Sequence, residues 1–350
     1  MSQKKVRSIW VMGGLCGASL VFSLYACRHG ASSEEAPFFG KRFKQAFHAG
    51  VSVGDLAEVQ VDTTALTYGY KVAEGKLAGK THSGTLRSLH EFGGDLYATE
   101  DGGGLLTIKD ELVFGGVDKY FYVGVPALQG ALASHDVEGI YSFLYFSPDS
   151  ASSDGVDYGS VELTKDPISK ATTFRIARGK HVTQATASEV HTGTYKDLGT
   201  GIVELWDGGH KLANVLLRPR KSGQTFAVVD FSQGTPDAGI GFAQKQQALP
   251  VIADLTGSYN VLVPGEEHSG AGQISGNSWT LSDNEGHSVT FKVTQNLPWN
   301  GLISGQLQID GRELFLSAIY SEESRTIYGL IEPKIRSDDD PANAFIAIRK

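Results

Sequence analysis

The chain has 350 residues, with 39 acidic against 31 basic side chains and a formal net charge of −8. That balance argues against nucleic acid, whose binders carry a basic footprint, while the length allows two domains with sizeable cores. Glycine reaches 43 residues without recurring every third position, which excludes collagen, and two cysteines are too few for a disulfide framework.

Residues 1–26 open with Lys4, Lys5 and Arg7, and from Ile9 to Ala26 carry no charge. At 1.5 Å per residue that run would span roughly 27 Å as a helix, a marginal membrane crossing. A basic start, an apolar middle and a small residue at the end fit a secretory signal better. Gly13, Gly14 and Gly17 also weaken the run as a permanent helix.

The run ends in Leu24-Tyr25-Ala26-Cys27, which resembles the lipobox of bacterial lipoproteins. The resemblance covers only the first 27 residues. It implies that Leu24 and Ala26 serve signal-peptide recognition, that residues 1–26 are removed, and that Cys27 carries lipid. Acyl chains of the palmitate kind would then anchor the protein, at about 0.8 kcal/mol per buried CH₂. Arg28, not Asp, follows the cysteine, so the resemblance favours the outer membrane over the inner membrane. Loss of Lys4, Lys5 and Arg7 with the signal takes the net charge from −8 to −11, which opposes broad adhesion to anionic lipid. The cysteine count fits this picture: Cys16 leaves with the signal, and Cys27 has no partner because it is an anchor.

Residues 27–54 read as a tether and a short N-terminal helix. Phe39, Phe43 and Phe47 recur at i, i+4 and i+8, which predicts one apolar helical face within residues 37–50. Lys41, Arg42 and Lys44 occupy other faces, Pro37 suits a start and Gly50 a stop. Such a face would pack on the folded domain or lie on the membrane.

Beyond residue 50 helical periodicity gives way to short runs rich in Val, Ile, Thr, Phe and Tyr between turns. KYFYVGV at 119–125, QTFAVVDF at 224–231 and ELFLSAIY at 313–320 read as strands. The dipeptides at Asp101-Gly102, Asp207-Gly208 and Asp310-Gly311 suit tight hairpins. The fold class is therefore all-β, with antiparallel meander units forming two β-barrels or sandwiches. The chain divides into 55–249, with a weaker boundary near 130–136, and 250–350. Gly-x-Tyr openings at Gly139, Gly193 and Gly257 hint at loose internal repetition.

No phosphate loop or zinc-binding helix motif occurs. His82 with His90, and His181 with His191, are hairpin-spaced pairs better read as solvated histidines than as ligands. Asp338-Asp339-Asp340 lacks the spacing of a calcium loop. Catalytic residues, metal and cofactors are accordingly expected to be none. Trp206, Trp279 and Trp299 are candidate ligand-binding residues, Trp299 because it sits in the loop LPWNG. The expected function is a lipid-anchored cell-envelope protein, a non-enzymatic binding or interaction module. Its partners would be the membrane, through the lipid, and another envelope or host protein. An envelope assembly accessory and a carbohydrate-active hydrolase are the alternatives. The combination of lipobox, tether and glycine-rich meanders is similar to outer-membrane surface lipoproteins, some of which bind host or nutrient proteins.

Overall fold

The computed structural model describes residues 44–350, apart from 52, 89–95, 100–105, 109–111, 118–119, 129, 131, 147–157, 221–223, 232–238, 247–254, 263–268, 284–285, 310, 322–324 and 334–342. Cys27, Leu24 and Ala26, and with them the tether, lie outside the described residues, as do His90 and the Asp338-Asp339-Asp340 run.

The described chain is a succession of antiparallel meanders. The first comprises β1 (Lys44–Val51), β2 (Asp55–Asp62), β3 (Thr67–Val72), β4 (Thr81–Ser88), β5 (Leu96–Thr99), β6 (Leu106–Ile108), β7 (Leu112–Val117) and β8 (Tyr120–Pro126). The second comprises β9 (Gly139–Phe146), β10 (Tyr158–Lys165), β11 (Thr172–Arg178), β12 (His191–Asp197), β13 (Ile202–Asp207), β14 (His210–Pro219), β15 (Thr225–Phe231) and β16 (Gly239–Lys245). The third comprises β17 (Gly257–Leu262), β18 (Ser269–Ser275), β19 (Ser278–Ser282), β20 (Ser288–Gln295), β21 (Ile303–Ile309), β22 (Arg312–Ser321), β23 (Thr326–Pro333) and β24 (Asn343–Arg349). In each, the last strand pairs back onto the first, so the described strands form three closed barrels. All-β antiparallel meanders closing into barrels are what the sequence predicts, and the described strands make three such closures.

Closure leaves no unpaired sheet edge, and eight strands leave an interior just wide enough for side chains to fill. Barrel 1 is filled by Phe47, Val59, Leu86 and Tyr122, among others, and barrel 2 by Tyr141, Phe174, Leu205 and Val229. Barrel 3 is filled around Trp279, Phe291 and Phe345. No helix among the described residues is long and apolar enough to cross a membrane. The exposed outer face of β18–β20 carries Ser278, Thr280, Thr290, Lys292 and Thr294, not the apolar band of a lipid-facing barrel.

The predicted N-terminal helix is corrected over residues 44–50, which belong to β1. Phe47, Ala49 and Val51 alternate into the interior, so the period of two outweighs the i, i+4 spacing of the phenylalanines. A helix there would also leave β2 and β8 without their shared partner.

Barrels 2 and 3 begin with the same clasp. A helical turn, α1 (Ser134–Val137), precedes Gly139-Ile140-Tyr141, and the Tyr141 hydroxyl donates to the carbonyls of Val137 and Asp136, both at 2.9 Å. Before Gly257-Ser258-Tyr259, the Tyr259 hydroxyl donates to the Leu255 carbonyl at 2.5 Å. Val137 and Leu255 plug the respective interiors. A basic residue from the last strand completes each clasp: Lys245 donates to the His135 carbonyl at 2.5 Å and Arg349 to the Thr256 carbonyl at 2.7 Å. Burial raises the Tyr259 hydroxyl to a pKa of about 12 and pushes Tyr141 higher still. Gly193-Thr194-Tyr195, in contrast, lies within β12 and starts nothing.

The barrels are joined by their outer faces. β1 and β8 pack on β14 and β15, while β9 and β16 pack on β22 and β23. One apolar cluster runs through all three: Phe114, Val123 and Val125 from barrel 1, Leu216, Phe226, Val228 and Phe242 from barrel 2, and Ile319, Tyr328 and Ile346 from barrel 3. At its centre the Tyr328 ring lies 5.0 Å from Phe226 and 5.1 Å from Phe242. Strands at this seam are buried on both faces, which is why 224–231 and 313–320 read as almost unbroken apolar runs.

Truncating Phe226 to Ala should destabilise the protein by about 3–5 kcal/mol in equilibrium denaturation, since no other ring fills the gap. Tyr259→Phe removes one donor, strands the buried Leu255 carbonyl and should cost about 1–3 kcal/mol in the same assay. A loss below a few tenths in either case would contradict the packing described.

Candidate functional site

Where barrel 1 is not covered by barrel 2, its outer face forms an open groove of about 690 Å³ across β1–β4. Register builds it. Ala46 pairs with Gln60, Gln60 with Gly69, and Gly69 with Ser83, so three small residues and one amide form a row across four strands. At about 4.8 Å between strands the row is roughly 14 Å long. Alternation sends Val59, Val61 and Tyr68 to the interior, leaving the row and its neighbours outside. A Cβ added to Gly69 would lie 3.3 Å from the His82 carbonyl oxygen, so a larger side chain would raise the floor.

Polar rims flank this floor. One carries Lys44, Asp62 and Thr67; the other carries Glu58 and Lys71. Lys44 and Asp62 lie 3.8 Å apart, with Lys44 80% exposed, so the pair contributes little to stability. Asp62 is fixed in another way. The Ala65 and Thr64 amides donate to its Oδ1 at 2.9 and 3.0 Å, and these bonds, the Ala65 one foremost, hold its pKa below the usual value. Two lysines oppose two carboxylates, so the groove is locally neutral. It offers donors and acceptors together with a floor nearly free of side chains. Beside the second rim, in register with Glu58, stands half-buried His48, whose Nδ1 has no hydrogen-bond partner. Burial lowers its pKa, opposed by the Glu58 charge.

The three candidate tryptophans go to three different places. Trp279 is fully buried inside barrel 3, its ring 5.4 Å from Phe345. Trp206 is part-buried on β13, and its Nε1 donates to Glu204 Oε2 at 3.1 Å. Trp299 is in the loop between β20 and β21 and reaches barrel 2. Its Nε1 donates to Ser142 Oγ at 2.9 Å, and its ring lies 5.5 Å from both Tyr158 and His181. The Ser142 hydroxyl donates onward to the Asn300 carbonyl at 3.1 Å. The structure thus assembles no shared aromatic surface from them, and Trp299 acts as a dowel between barrels 2 and 3.

The histidines likewise part company. His181 contacts Thr183 and Gln246 at 2.7 and 2.9 Å, while His191 lies 3.0 Å from Asp207. Among the described residues no group of three or more His, Cys, Asp or Glu converges as a metal site would require.

Sequence reasoning missed the groove. The residues of its floor row are small or polar, come from four strands, and are gathered only by register. No protein-family model matches the chain, and no curated protein matches it. Among solved structures it is similar to a protein of unknown function from Nostoc punctiforme (12% identity, 62% of this chain and 98% of that one, TM-score 0.23). It is also similar to a candidate outer membrane protein from Bacteroides fragilis (13% identity, 62% and 99%, TM-score 0.21). A third similarity is to a double mutant of transferrin binding protein B from Haemophilus parasuis (9% identity, 89% and 76%, TM-score 0.26). At these scores the likenesses carry no argument about function.

The Trp299–Ser142 bond gives a direct check on the junction. A double-mutant cycle of Trp299→Phe and Ser142→Ala should show a coupling of about 1 kcal/mol in unfolding free energy. Strictly additive losses would mean that the bond does not hold the barrels together.

Proposed function

We propose that the chain is a lipid-anchored protein of the bacterial envelope, at the outer membrane, that binds a ligand without transforming it. We further propose that the barrel 1 groove is the binding surface. The observation that carries this reading is the groove itself: a neutral, hydrogen-bonding, side-chain-poor trough on a rigid closed sheet. Anchoring draws its support from the Leu24-Tyr25-Ala26-Cys27 sequence.

Charge balance and chemistry favour a neutral, hydroxyl-rich chain such as an oligosaccharide, whose groups both donate and accept. An extended peptide fits less well. Adding a strand needs an open sheet edge, and β1–β4 are paired on both sides. A trough about 14 Å long takes roughly three sugar units. A trough this open would bind at around millimolar Kd, about 4 kcal/mol.

Two measurements test the two halves. Intact mass of protein from the native membrane should show acyl mass on wild type and none on Cys27→Ala. Acyl mass that persists in the variant, or is absent from both, overturns the anchor. An array of neutral oligosaccharides should retain wild type and lose at least about tenfold of its signal with Ala46→Arg, which fills the floor. Equal retention of the two proteins, or no retention of wild type, overturns the groove.

A further inference from the structure

A second feature of barrel 1 lies four residues along β1 from the groove floor. Its outer face there meets β15, whose side chains alternate strictly. Ala227 and Val229 point into barrel 2, while Phe226 and Val228 point into the seam between barrels. Asp230 is the next residue of the seam-facing row, and it is 0% exposed. Gly50 of β1 covers it so closely that a Cβ at Gly50 would lie 2.4 Å from the Asp230 Cβ. A buried carboxylate needs charged or multiple hydrogen-bonding partners. Asp230 has one long contact, from Asn214 Nδ2 to its Oδ2 at 3.5 Å, and its Oδ1 has no partner.

The surrounding charges do not compensate. From barrel 1, Asp55 is itself buried and is committed to the Lys76 and Leu77 amides at 2.8 and 2.5 Å. Also from barrel 1, His48 sits two residues before Gly50, on the same face of β1. From β14, Lys211 is committed to Glu74 at 3.1 Å and Glu204 at 3.6 Å. From β16 the residue in register is Ile240, and from β8 the seam residues are Val123 and Val125.

We propose that the seam between barrels 1 and 2 is a proton-controlled joint, closed while Asp230 carries a proton and loosened when it ionises. Desolvation foremost, with a contribution from Asp55, raises the Asp230 pKa well above the carboxylate range, against smaller opposing effects of Asn214 and Lys211. The sign follows from linkage. Below about pH 4 the acid is protonated in closed and open states alike. As pH rises from there to the raised pKa, the closed state holds one proton more, so closure weakens steadily. His48 acts in the opposite sense. Its lowered pKa keeps it neutral when the seam is closed, so its contribution is lost as pH falls below about 6.5. Below about pH 6.5 the two effects oppose each other, and above it Asp230 acts alone, so closure weakens towards alkaline pH.

The test is unfolding of the full protein between about pH 5 and pH 9, with protease cleavage of segment 127–138 as a local readout of seam opening. Wild type should lose stability and cleave faster as pH rises. Asp230→Asn, which mimics the neutral acid, should flatten that slope and cleave several-fold more slowly at about pH 8. Each pKa unit of the shift corresponds to about tenfold in the closing equilibrium. His48→Gln should leave the alkaline slope and steepen the fall between about pH 5 and pH 6.5, where His48 no longer offsets Asp230. An Asp230→Asn variant with the wild-type slope, or one less stable at pH 8, overturns the proposal. Should that variant not fold, the protonated-carboxyl infrared band of wild type decides the matter: persistence near neutral pH supports the joint, and its loss by about pH 5 overturns it.

Discussion

Everything in this molecule depends on the outer faces of three barrel walls having to be buried against one another. A closed eight-stranded barrel satisfies its own main chain and fills its own interior, so in principle each could stand alone. These do not, because β8, β15, β16, β22, β23 and β24 carry apolar side chains on both faces. Phe226, Phe242 and Tyr328 meet where the walls converge, and no single barrel can keep that triplet from water. The hydrophobic effect therefore welds the array side by side, leaving β2–β4 and β18–β20, whose outer faces are polar, to solvent.

That division explains what the sequence discloses and what it conceals. Strands and hairpins are local, so they can be read. Asp207-Gly208 does open a two-residue turn, with Gly208 and Gly209 at φ 51° and 90°. Two-sided burial at 224–231 is visible as a lost polar alternation. The number of barrels is not local. Gly-x-Tyr marks the first strand at Gly139 and Gly257 but falls mid-strand at Gly193. What distinguishes the cases is a helical turn just before and a basic residue about a hundred positions later, Lys245 or Arg349. Nothing in a linear reading ties those parts together. Residues 37–50 mislead for a related reason: Phe43 and Phe47 share a helical spacing, while Phe47, Ala49 and Val51 share a strand spacing. Pairing with β2 and β8 decides between them.

The tryptophans show the same limit from the other side. An aromatic in a loop such as LPWNG suggests an exposed binding residue, yet Trp299 spends its indole N–H on Ser142 of another barrel. Large apolar side chains are the natural currency of the seam, so they are poor guides to a binding face in this architecture. The groove is made of what the seam does not use: Ala46, Gly69 and Ser83, too small to weld, and Gln60, too polar. Their significance lies in cross-strand register, which composition and periodicity do not encode.

Asp230 would pass in the sequence as the polar residue that ends an apolar strand. Alternation places it outward, where an aspartate normally meets water, but Gly50 of another barrel lies directly over it. Stability alone would favour Asn or Val there, since a lone buried acid costs free energy at neutral pH with no ion pair to offset it. A residue that the packing tolerates only when protonated makes the weld conditional. Because β1 supplies both Gly50 to the seam and Ala46 to the groove floor, any loosening of the seam moves the strand on which the groove is built. Proton binding at one face of β1 and ligand binding further along it are then coupled through a single rigid element, and the coupling acts equally in both directions.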